Sequence, residues 1–141
     1  MKKSILKKTG ALVLAVVMCA VLLSGCAGQK MPVDFVEADV KNAAENVITL
    51  INSKDSEGLK ALCTVKMKEG LTDAVLTQIY EAMSEGGKFD KIEEMSVAGQ
   101  TDKASNEEFA VVVAKAKYEI KSFIFTISFT KQMKLAGLYY R

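Results

Sequence analysis

The 141-residue sequence contains no histidine. That removes the commonest general base and the commonest neutral metal ligand. Cysteine is scarce, with Cys19, Cys26 and Cys63 the only three. Proline occurs once, at Pro32. No repeat and no low-complexity segment is visible. Beyond the first eight residues, basic residues are nowhere concentrated enough for a nucleic-acid surface. The longest unbroken apolar run, Ala11 to Leu23, is thirteen residues long and falls short of the ~20 that a spanning helix wants.

What is present begins with Lys2, Lys3, Lys7 and Lys8, a positive segment directly before that run. A charged start, a short apolar core and small residues form a signal-peptide pattern. Leu22-Leu23-Ser24-Gly25-Cys26 then resembles the lipobox of bacterial lipoproteins. In that family the cut falls between Gly25 and Cys26. The Cys26 sulfur is the nucleophile that accepts a diacylglyceryl group, and the small side chains let the extended chain lie against the peptidase. The resemblance implies export, with Cys26 as the site of lipid attachment and the membrane as a partner through that anchor. Two or three acyl chains, at ~0.8 kcal/mol per buried methylene, make such an anchor effectively permanent. The expected location is the extracytoplasmic face of the cell membrane, with an outer membrane left open. An uncleaved signal anchor is the alternative, since residues 9–29 carry no charge.

Three segments follow: a leader over 1–25, a lipidated tether over 26–33 and one domain over 34–141. Removing the four leader lysines leaves 15 basic against 17 acidic residues, a net charge of −2. Cys19 leaves with the leader and Cys26 carries lipid. Cys63 is then alone, with no disulfide partner even in an oxidising compartment, and reads as a small buried hydrophobe.

Asp34-x-x-Glu37 has a capping-box pattern. Val36, Val40, Ala43, Val47 and Leu50 or Ile51 form an apolar helical stripe to about Ser53, opposite Glu37, Lys41, Glu45 and Asn52. A second helix is predicted from Asp55 to Thr64, with Leu59, Leu62 and Cys63 inward. A third starts near Thr72, with Leu71, Val75, Ile79 and Met83 stepping by four, and stops at Gly86-Gly87. The period then changes to two. Strands are predicted over 89–98, 108–120, 123–130 and 135–140, the third with Phe123, Phe125, Ile127 and Phe129 on one face. Three helices before four antiparallel strands give an α+β class, the helices covering one face of a curved sheet.

This order of elements resembles the nuclear transport factor two-like (cystatin-like) fold, and most closely its bacterial group of small secreted or lipid-anchored domains. The residues that carry the resemblance are the first helix, Asp55, Gly86-Gly87-Lys88-Phe89, Tyr118 and Lys134-Leu135-Ala136-Gly137-Leu138. It implies a cone with a pocket at its open end and an envelope location. It implies no chemistry.

No catalytic residue, cofactor or metal ligand is expected. Asp34, Glu37, Asp55, Asp73, Glu93, Glu94 and Asp102 read as caps or solvated surface. Tyr80, Tyr118 and Tyr139 are the candidates for facing inward. Glu93-Glu94 and Glu107-Glu108 should point to opposite strand faces and so cannot chelate. Phe109, Val111 and Val113 make the second strand apolar on both faces. Either the sheet's own curl fills that patch, or it is a contact for a homodimer or an envelope protein. The expected function is non-catalytic binding of a small apolar ligand, a peptide or an envelope protein. The alternatives are a small isomerase- or dehydratase-type enzyme using Tyr and carboxylate groups, and a pocketless structural accessory.

Overall fold

The computed structural model describes residues 29–141. The leader, Gly25 and Cys26 lie outside the described residues. Four helices precede four strands: α1 Glu37–Asn52, α2 Ser56–Leu62, α3 Val65–Gly70, α4 Asp73–Glu85, β1 Phe89–Thr101, β2 Glu108–Tyr118, β3 Ser122–Phe129 and β4 Leu135–Tyr140. The strands form one antiparallel sheet in sequence order. The α+β class therefore holds, with four helices rather than three. The additional α3 is only six residues long and starts where Thr64 accepts a hydrogen bond from the Met67 N–H. No helix among the described residues is long and apolar enough to cross a membrane.

Caps set the helix starts, though not always those expected. The Asp55 carboxylate accepts from the Gly58 N–H and opens α2. Thr72 accepts from Val75 and opens α4. Asp34 does not cap α1: Val36 holds that position without a side-chain bond, and Asp34 pairs with Lys131 at 2.9 Å. The buried stripe of α1 is Val40, Ala44, Val47, Ile48 and Ile51, one residue off the expected Ala43, and Val36 is 59% exposed. In α4, Leu76 rather than Val75 faces the core with Ile79 and Met83. Gly87, at φ +80°, closes α4 in the left-handed geometry that only glycine adopts cheaply.

The core lies between helices and sheet. Ala110, Val112, Ala114, Ala116 and Tyr118 of β2 and Phe123, Phe125, Ile127 and Phe129 of β3 face it. Each large side chain so buried contributes roughly 1.5–3 kcal/mol relative to exposure. α1 packs over β1 and β2, and α3 packs against β4. Each sheet edge also takes one short pairing that covers part of its open ladder. Gln29 bridges Gly99 on β1, and Cys63 bridges Leu135 on β4.

Candidate functional site

The side chains singled out from the sequence separate into distinct places. Tyr118 is the tyrosine that points fully into the core. Its hydroxyl donates to Asn52 Oδ1 at 2.6 Å and lies 3.4 Å from Met83 Sδ. Burial pushes its pKa up to about 12. Asn52 was expected on the solvated face of α1. It ends that helix facing the sheet instead, and its Nδ2 is buried with no partner. The Tyr118 ring stacks edge-on with Phe89 and Phe123, at 5.5 and 5.1 Å between centroids. Among these three rings Tyr118 carries the one titratable group. General acid–base catalysis wants a second group to tune the first, and the hydroxyl's partner here is an amide.

Tyr80 lies half-buried on α4, its hydroxyl 2.9 Å from Ser56 Oγ. It lines an open groove of about 660 Å³ with Lys54, Thr77, Glu81, Ser84 and Glu85. The groove lies on the helical side, between the α1–α2 turn and α4, whereas the resemblance implies a pocket at the open end of a cone. The groove's lining residues bear hydroxyls and charges of both signs on largely apolar stems. Lys54 sits at φ 55°, a left-handed conformation that costs a non-glycine residue about 1–2 kcal/mol. Tyr139 lies on the outer sheet face.

The carboxylates act as caps and ion-pair partners. Asp73 meets Lys60 at 2.8 Å and Glu37 meets Lys41 at 2.7 Å. Asp102 accepts from the Ala104 N–H inside the β1–β2 loop. The β1 register skips one residue at two places, between Phe89 and Lys91 and between Ile92 and Glu94. These bulges correct the expectation of opposite faces for Glu93 and Glu94. Both glutamates stand exposed opposite Lys115, and Glu93 reaches its ammonium at 3.0 Å. Lys115 beside Glu93 lowers that carboxyl's pKa. Asp90, at the other bulge, faces Lys117 at 3.7 Å. Among the described residues no group of three or more His, Cys, Asp or Glu comes together in a metal-binding arrangement.

One feature carried no signal in the sequence. Lys131 bridges Asp34 at 2.9 Å and Glu108 at 2.7 Å, and these bonds raise its pKa to about 12. The partners lie 97 and 23 positions away, so no local spacing could show them. Cys63 is half-buried and its thiol donates to the Leu59 carbonyl. Burial raises its pKa, which disfavours the reactive thiolate. On the outer sheet face Val111 is only 9% exposed between Ala98 and Ser128. Val113, at 41%, is the more open part of the doubly apolar stretch.

The family model described as Protein of unknown function (DUF3887) matches residues 44–138, from within α1 to within β4. No curated protein matches the chain. Among solved structures, the NMR structure of a protein from Ruminococcus gnavus ATCC 29149 superposes with a TM-score of 0.71 at 21% identity, covering 79% of this chain and 96% of that one. That likeness shows a shared fold.

Proposed function

We propose, for a chain that belongs to the DUF3887 family, that it is a lipid-anchored extracytoplasmic domain that binds a peptide or an envelope protein without catalysing a reaction. Residues 1–25 serve as the signal peptide, cut before Cys26, and Cys26 carries the lipid. The domain over 34–141 takes the nuclear transport factor two-like shape, a reading supported by helices that precede and cover an antiparallel sheet.

One observation carries the binding side of this reading. The space between α1 and the sheet is filled with fully buried side chains, among them Ile48, Phe125 and Val112, while the groove between the α1–α2 turn and α4 is wide open to solvent. Such a groove suits an extended peptide or a protein surface better than an enclosed apolar molecule. Tyr80, Ser84 and Thr77 offer hydroxyls, and Lys54, Glu81 and Glu85 offer charge of both signs.

Native mass spectrometry of protein extracted from membranes tests both halves. The expected species is the polypeptide from Cys26 onward plus its acyl groups. A stoichiometric apolar small molecule bound in addition would contradict the surface-partner reading. Recovery of full-length, unacylated protein in the soluble fraction would contradict the anchor.

A further inference from the structure

The chain just before α1 is not a free tether. The Gly99 N–H donates to the Gln29 carbonyl at 2.7 Å, and Thr101 Oγ1 donates to Gln29 Oε1 at 3.3 Å. Met31 packs against the core and Phe35 is buried within it. Asp34 is clamped by Lys131, which also holds Glu108 of β2. A Cβ added at Gly99 would lie 2.5 Å from the Lys30 carbonyl oxygen and 2.9 Å from Pro32 Cδ. Glycine is therefore what lets the strap 29–32 lie this close to β1. All these ties are at one end of the sheet, where β1 ends, β2 begins and β3 turns into β4.

Chain reach turns this into an orientation. Only Ala27 and Gly28 stand between Cys26 and Gln29. Three residue steps span at most ~11 Å, whereas a chain free up to Glu37 could reach ~38 Å and present any face of the domain. The headgroup layer is itself ~5–8 Å thick. The opposite end of the sheet lies ~26 Å farther on, measured along β2 from Ala110 to Tyr118.

We infer that the Gly99–Lys131 end of the domain, with the β1–β2 loop, is the surface that rests on the lipid headgroups. The Tyr118 end and the Lys54–Tyr80–Glu85 groove then face away from the bilayer, open to a partner in the aqueous space. This rests on the lipid-anchor reading of Cys26 and adds the direction in which the anchored domain points.

The test uses the mature lipoprotein in phosphatidylcholine vesicles containing a headgroup-attached quencher. Single fluorophores are placed through Ala104→Cys in the β1–β2 loop or Ile120→Cys at the other end, each with Cys63→Ala. Acylation of Cys26 is first established by mass. The expected result is several-fold stronger quenching at 104 than at 120. Inserting eight Gly/Ser residues after Gly28 should collapse that difference. Equal quenching at both positions in acylated protein would overturn the orientation and leave the anchor standing. A free Cys26 thiol in the membrane-extracted protein would remove the anchor and the orientation together.

Discussion

The two ends of the sheet are held by different forces. At the Gly99 end, exposed charges and short backbone contacts tie the strap to the strands: Lys131 to Asp34 and Glu108, Gln29 to Gly99. At the Tyr118 end, Phe89, Phe123, Tyr118 and Tyr140 interlock by their edges, and the shortest side-chain hydrogen bond, Tyr118 to Asn52, is shielded from water, with exposed pairs such as Lys121–Glu85 only at its margin. Exposed pairs contribute little and are screened by salt. Buried rings contribute through area and packing. The first end is thus a fastening and the second a foundation, and substitutions at the two should differ in size and in what they respond to.

The largest effect is expected at the Tyr118 end. Phe123→Ala removes a ring that touches both Tyr118 and Tyr140 and leaves a cavity, a loss of about 3–5 kcal/mol in urea unfolding. Gly99→Val strikes the other end. The added side chain pushes against the Lys30 backbone and should cost roughly 1–3 kcal/mol. Limited proteolysis should then cut between 29 and 34, while amide exchange around Tyr118 stays as before. A loss as large as that of Phe123→Ala would erase the distinction between the ends.

Tyr118→Phe is smaller, about 1 kcal/mol near neutral pH for one hydrogen bond. Its sharper signature is in pH. The folded-state pKa of Tyr118 is raised from 10.0 to about 12, so its neutral hydroxyl favours folding fully below pH 10, and that contribution is lost as pH rises through 12. Stability of the parent protein should fall more steeply between pH 10 and 12 than that of Tyr118→Phe. Lys131→Met has the smallest effect. It should be detectable only at low ionic strength and vanish in concentrated salt, and persistence in salt would show that Lys131 contributes more than exposed charge.

Local chemistry was readable from the sequence where partners are close along the chain. Asp55 and Thr72 act within three residues, so their caps were visible. The alternation from Phe123 to Phe129 and the limits of β4 likewise follow from a period of two. Long-range competition hid the rest. Asp34 has the residue type of a cap, yet Lys131 takes its carboxylate. Asn52 looks like the last polar position of α1, yet Tyr118 draws it inward. The β1 bulges bring Glu93 and Glu94 opposite one lysine, which a strict alternation cannot foresee. The candidate groove was not legible at all, because it is assembled from the α1–α2 turn and α4, and its residues are ordinary surface types.

The most direct test of the central claim is the mass of the amino-terminal peptide from membrane-extracted protein. An anchored domain requires that peptide to begin at Cys26 and to carry a diacylglyceryl thioether. A peptide beginning at Met1, or one with Cys26 unmodified, would contradict it.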